Sequence, residues 1–489
     1  IVHILPGIYR ETIQPMRSGS ASAPIIFYAE HGSGTVIVRG SERSDTLTWY
    51  QLTSNTIGLP PNVAPSNVYY TDLSSWAMPA PPRFVVQPGN ISTRLPLARE
   101  PDWQVITEWK YHEYWWAADG GSSIADCDPA SDPDHDCDFA TRSTIELTDR
   151  TSDSVPNGIE PGNLTTLSNL VGATLVALDS VSGHYTYRRE IVAHDGITGI
   201  ITVDDLCEFD AGTGNPGLGW GSKYYVENLP ALIDNPGEWW YDVNNARLYL
   251  WPPEIGNPAT LNIEISRRNI GVVLNNLSYI TLDGLSLEFF NENIIHQSQS
   301  CPGCGSNHNT IRNTAMRYAN IGIEVGQGTD YPQNITNGFT VENSEVSHMD
   351  TLGIYMNYWW PGGTADTFTH AGIVNSVIRN NIVYDLGFRA EGNNAIGLLF
   401  NHADQLRFEG NYIHHVAQNG MALSRSIVQS PDQWGFLPAE IKTGEILIKD
   451  NIFEKACLLN ADCGALKIQG SPPDNHVFRD LLITGHIFR

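Results

Sequence analysis

"SVIRNNIVYDLG", residues 376–387, decides the fold. An apolar pair, a polar residue, two asparagines and a second apolar run are too short for a helix. They read as strand, bend and strand. The phrase returns along the chain as "TIRNTAM" at 310–316, "TVENSEV" at 340–346, "RFEGNYI" at 407–413, "LIKDNIF" at 447–453 and "LITGHIF" at 482–488. Aligned on Asp283, Asn313, Asn343, Asn380, Gly410, Asp450 and Gly485, the repeats lie 30, 30, 37, 30, 40 and 35 residues apart. A recurring unit of that size means a solenoid. Its β-branched residues and lack of a helical period predict a right-handed parallel β-helix, whose coils stack at about 4.8 Å. The bend asparagines tolerate left-handed backbone angles and are expected to form hydrogen-bonded ladders.

A second marker sits in each coil. A glycine precedes another apolar strand in "IGIEV" (Gly322), "LGIYM" (Gly353), "IGLLF" (Gly397), "NGMAL" (Gly420) and "CGALK" (Gly464). The shortest segments between the two markers, 9 and 13 residues, set a minimal coil of 22, and everything longer is inserted loop.

Residues 1–59 read as opening coils of the same helix, and 266–489 as the main helix, truncated at its C-terminal end. Between them, 60–265 loses the repeat and is rich in Trp, Pro and Asp. Short strand-like runs such as "GATLVALDS" and "ARLYLWPP" predict an inserted, mostly-β, sandwich-like domain there.

Composition narrows the partners. Of 489 residues, 28 are Lys or Arg and 54 are Asp or Glu, a net charge of −26. Such a field repels nucleic acid and anionic membrane and leaves neutral sugars, cations or basic proteins. No apolar run approaches the roughly 20 residues of a membrane span. Six of seven cysteines fall in close pairs, Cys127/Cys137, Cys301/Cys304 and Cys457/Cys463. Local pairs predict disulfide staples and a secreted or cell-surface location.

The opening "HILPGIYRETI…SASAPIIFYAEHGSGTVIVRGS" resembles the first coils of carbohydrate-active right-handed β-helix proteins, including alginate-lyase-like ones. "KYYVENLPALIDNPGEWWYDVNNARLYLWPP", followed by "NLSYITLDGLSL", resembles β-helix glycoside hydrolases of the β-xylosidase and α-fucosidase type. That resemblance implies a β-sandwich inserted before the main helix and a polysaccharide or oligosaccharide partner, with no required cofactor.

Glycoside hydrolysis needs two carboxyl groups, one protonated and one acting as nucleophile or base. Loop lengths predict a notch at the short coil after Gly410, floored by "IHHVAQN" and walled by loops carrying Glu391 and Asp462. Asp350 lies one coil from Glu391, and Asp462 two coils beyond it. One coil corresponds to roughly 5 Å, a retaining spacing, and two to roughly 9.6 Å, near the inverting limit. "ADCGALKIQG" resembles the Asp-x-Gly-Ala strand entry of those hydrolases, with Asp462 held by the Cys457–Cys463 staple. Trp359, Trp360 and Trp434 offer aromatic walls, and His402, Asp404 and His415 polar contacts for a sugar. His414 and His415 alternate, so one is expected inward and the other facing the notch.

"DCDPASDPDHDCD", residues 126–138, offers alternating Asp126, Asp128, Asp132, Asp134 and Asp136, an oxygen-rich set for calcium or a solvated acidic loop. Two further functions fit the same fold. One is a calcium-dependent lyase using Lys467 and Arg425; the other is a structural or adhesive surface protein that self-assembles. Only the enzymes require particular carboxylates or bases.

Overall fold

The computed structural model describes residues 1–78, 80–89, 92–102, 115–121, 144–150, 164–178, 186–204, 218–299, 304–326, 336–357, 373–389, 396–401, 403–424, 446–459, 463–469 and 481–489. Three parallel sheets form the faces of a β-helix. The first face runs through Val2–Ile4, Ile25–Ala29, Ile280–Asp283, Thr310–Arg312 and on to Leu481–Thr484. The second runs from Gly7–Tyr9 and Val36–Arg39 through Leu285–Glu288 to Ile487–Phe488. The third holds Ile270–Val273, Asn293–Gln297, Ile321–Val325, Ile354–Asn357, Leu398–Asn401, Met421–Ser424 and Leu466–Gln469. A full coil therefore contributes a strand to each of three long faces, with the glycine marker announcing the third. Thr336–Asn337, Ile373–Val374 and Ala403–Asp404 add a short fourth parallel sheet.

The corners follow from the sequence markers. Asn313, Asn343, Asn380 and Asp450 have φ of 51–55°, with Gly410 and Gly485 at 65° and 73°. Each marker leaves the next residue pointing inward, and that residue builds the ladder. Asn381 Nδ2 donates to Asn411 Oδ1 at 3.0 Å, and Asn411 Nδ2 to Asn451 Oδ1 at 3.0 Å. Their side-chain oxygens also accept the backbone N–H of the coil before, at 2.8–3.0 Å. The buried bends thus keep their polar groups paired.

The glycine column has a separate cause. A Cβ on Gly322 would lie 2.5 Å from the carbonyl oxygen of Gly353, one on Gly353 2.4 Å from that of Gly397, and one on Gly397 2.3 Å from that of Gly420. Successive coils touch through bare backbone there. Inside, Ile280, Leu282, Phe290, Ile323, Phe400, Phe408 and their neighbours form one continuous apolar core.

The strands that leave these faces lie between Ser41 and Ser266. Ser41–Arg43 and Glu264–Ser266 pair antiparallel, joining the start of the excursion to its end. The join is clamped by Glu264, which accepts from Arg10 at 2.7 and 2.9 Å, from Arg39 at 2.7 Å and from Ser41 at 2.5 Å. Beyond it lie an eight-stranded sheet around Thr174–Leu178, Thr186–Asp195 and Lys223–Glu227, and a four-stranded one containing Trp239–Asp242 and Arg247–Leu250. Trp115, Val176, Leu178 and Tyr225 of this region pack with Ala417 and Leu459 of the helix. The excursion is docked on the coils.

Candidate active-site cleft

Between the docked β region and the third face lies a cleft of about 1590 Å³. Its floor comes from the helix: Asn291, Glu292, Asn320, Ile321, Glu324, Thr351 and Tyr355. Its far wall comes from the insertion: Arg188, Glu190, Asn228, Trp240, Tyr241 and Asp242. Glu190 of the wall and Glu292 of the floor are 102 residues apart in sequence.

Strand register explains the floor. Outward positions of neighbouring coils align, so His296 stacks on Glu324 and Glu324 on Tyr355. Glu324 is only 4% exposed and leans back along the coil. Its Oε2 accepts from Asn293 Nδ2 and lies 3.1 Å from His296 Nδ1. Burial and the charge of Glu324 push the Tyr355 hydroxyl up to about 12, so it stays protonated as a donor. Glu292, on the coil before, has a 41% exposed side chain 4.0 Å from Arg83. Across the cleft Glu190 is exposed, and Trp240, half-buried, stacks on Tyr249 at 5.3 Å. The wall thus brings an aromatic side chain, and the floor carboxylates, to one cleft.

The cleft arginines are already engaged. Arg188 and Arg389 both donate to the buried Glu227. Burial alone would raise Glu227, but the two cations hold it at about 2. Arg83 donates to Asp350 at 2.8 Å.

That pairing fixes the place of Asp350. It is fully buried where the second face turns into the third, and also accepts from Arg94 at 2.5 Å. Burial raises its pKa, yet Arg94, Arg83 and Arg389 hold it below the ordinary carboxylate range. Asp350 ties the insertion to the helix and shows no open face to a substrate. Glu391, Asp462, Trp359, Trp360, Trp434, His402 and Arg425 lie outside the described residues, as do Asp126, Asp128, Asp132, Asp134 and Asp136. Asp404 falls in a short strand, Ala403–Asp404, paired with Ile373–Val374. Lys467 stands in the same outward row as Glu324, four coils further on, or about 19 Å away by coil spacing.

His414 and His415 do not alternate as expected. His415 has φ 53°, which swings both rings to one side, with their Nδ1 atoms 2.7 Å apart. Both are half-buried. The Cys457–Cys463 disulfide is present, with its Cα atoms 5.5 Å apart. Cys304 is also disulfide-bonded; Cys301, Cys127 and Cys137 lie outside the described residues. No helix among the described residues is long and apolar enough to cross a membrane.

Sequence reading missed Glu292, Glu324, Glu190 and Trp240. A signal for one of them was present: "IGIEV" places a charged residue at an outward position of an otherwise apolar strand. Nothing in the sequence brings Glu190 or Trp240 to it.

Neither a family model nor a curated protein matches the sequence. A solved structure described as a glycoside hydrolase is similar at 12% identity and TM-score 0.57, covering 99% of this chain and 88% of its own. XylC in complex with xylose covers 99% of this chain and 62% of its own, at 13% identity and TM-score 0.44. The catalytic unit of a GH87 α-1,3-glucanase from Streptomyces thermodiastaticus strain HF3-3 gives 10% identity and TM-score 0.24, with 71% and 74% covered. The first likeness spans insertion and helix together and supports the expected fold class. At 12% identity it speaks to fold alone.

Proposed function

We propose that this chain is a carbohydrate-active β-helix protein that hydrolyses a neutral oligosaccharide or polysaccharide in the cleft between the insertion and the third face. The observation that carries the reading is that Trp240 of the wall and Glu292 and Glu324 of the floor line one open volume. A sugar ring stacks its C–H face on an aromatic plane while carboxylates, amides and hydroxyls take its polar edge. Paired arginines and a net charge of −26 favour neutral over anionic sugars.

Glu324, fixed by Asn293 and His296, takes the proton of a water that attacks the anomeric carbon, while Glu292, more open, gives a proton to the departing glycosidic oxygen. The register sets them four residues apart along neighbouring coils, less the backward lean of Glu324. At about 3.3 Å per residue the two backbones stand roughly 13 Å apart, beyond the ~6.5–9.5 Å of inverting enzymes and far beyond the ~5–5.5 Å of retaining ones. The lean of Glu324 closes part of that gap toward the inverting spacing. Secretion or surface display suits such a substrate and the disulfide.

The test is a panel of neutral oligosaccharides and aryl glycosides. Wild type is expected to release product of inverted anomeric configuration by proton NMR. Glu324→Gln should lower turnover by about 10²–10⁴-fold with the fold unchanged. Hydrolysis that survives Glu324→Gln and Glu292→Gln together would move the chemistry elsewhere.

A further inference from the structure

The corner between the second and third faces carries a column of left-handed residues, one per coil: Tyr318, His348, Asp385, His415 and Lys455, with φ of 50–60°. Such a conformation is uncommon for side chains other than Asn, Asp and His. It matters chemically because it re-aims the side chain. On a regular strand, His414 and His415 would face opposite sides. Here their Nδ1 atoms stand 2.7 Å apart, with the rings edge to face at 81°.

Register supplies a third group. Tyr384 pairs with His414 and Leu386 with Val416, so Asp385 sits one coil from His415 in the same column. Ligand atoms of Asp385, His414 and His415 all lie within 4.8 Å of one another. Asp385 is 8% exposed, and His348, one coil further along the column, places Nε2 3.6 Å from its Oδ2. Tyr384 stacks on His414 at 4.8 Å and 13°, fixing that ring. Three donors on two coils therefore converge, and packed neighbours hold them.

We propose that Asp385, His414 and His415 form a binding site for a divalent transition-metal ion of the zinc type. Two imidazole nitrogens and one carboxylate oxygen suit zinc, nickel or copper rather than calcium, which prefers an all-oxygen shell. Bonds of about 2.0–2.1 Å in tetrahedral geometry put ligand atoms about 3.3 Å apart, so the imidazoles need separate by only about half an ångström to admit the ion. His348 would orient Asp385 from outside the coordination shell. Three protein ligands leave one position for water. The ion would cross-link the coils bearing Ile382–Leu386 and Tyr412–Val416. None of the three lines the cleft, so the site stands independently of the proposed hydrolysis.

The experiment uses the full chain, stripped with chelator and dialysed to neutral pH. Zinc is titrated by calorimetry and cobalt by its visible absorption. The expected result is one tightly bound ion per chain, with the intense d–d bands of a four-coordinate cobalt site. His415→Ala, His414→Ala and Asp385→Asn should each weaken binding at least tenfold while circular dichroism stays unchanged. Zinc-edge X-ray absorption of the wild type provides a readout that needs no variant: two imidazoles in the shell are expected. An all-oxygen shell, no stoichiometric binding, or affinity unchanged in folded variants would overturn the proposal.

Discussion

Asp350 stands out in the sequence as a carboxylate one coil from another acid, and in the structure it is gripped by Arg83 and Arg94. Sequence spacing set it one coil from Glu391 but could not show that two arginines from the insertion would cover it. Removing the charge strands both guanidinium groups in a buried setting, so Asp350→Asn should cost about 3–5 kcal/mol in chemical denaturation. The sign with pH follows from its lowered pKa. The stabilisation is complete above the ordinary unfolded value near 4 and is lost as pH falls through the native value. The variant should therefore show a shallower acid limb than wild type, and an unchanged limb would mean the pair contributes nothing.

At the scale of the element, the corners and the third face were the most legible part of the chain. Asparagine and glycine markers report local backbone needs, which any sequence carries openly. The ladder itself was displaced by one residue from the marked asparagines. The marked residue takes the left-handed angle, and its successor, as at Asn381, Asn411 and Asn451, points inward and bonds. Asn411→Ala would remove the acceptor of the Asn381 backbone N–H and one bond each from Asn381 Nδ2, Asn451 Oδ1 and the Ile378 carbonyl, at about 1–3 kcal/mol. Gly397→Ala would press a methyl onto the Gly420 carbonyl and should lower the thermal midpoint by a cost of about 1–3 kcal/mol. A midpoint unchanged in both would contradict the close stacking of the coils. The paired rings of His414 and His415 were misread for the same local reason: alternation fails at a left-handed residue, and histidine at that position gives no sequence warning.

Across the whole molecule, the fold was readable because a solenoid repeats itself, whereas the cleft was not, because its two sides come from unrelated segments. Trp240 and Glu190 meet the floor only through docking of the insertion. That region also sets the molecule's response to pH. Burial, with neighbouring acids, raises Glu100 and Asp149 to about 7, Asp234 to about 6 and Glu238 to about 8. The folded chain then keeps protons that the unfolded chain releases near pH 4. The associated stability is full below that point and declines as pH rises toward 8. The thermal midpoint should peak near pH 5 and fall steadily to pH 8; a flat profile would contradict these buried acids.

The most direct test of the central claim is a crystal structure of Glu324→Gln with an oligosaccharide bound. A sugar ring is expected against Trp240, with its glycosidic oxygen beside Glu292 and its anomeric carbon toward position 324. A sugar bound outside this cleft, with Trp240 and Glu292 untouched, would contradict it.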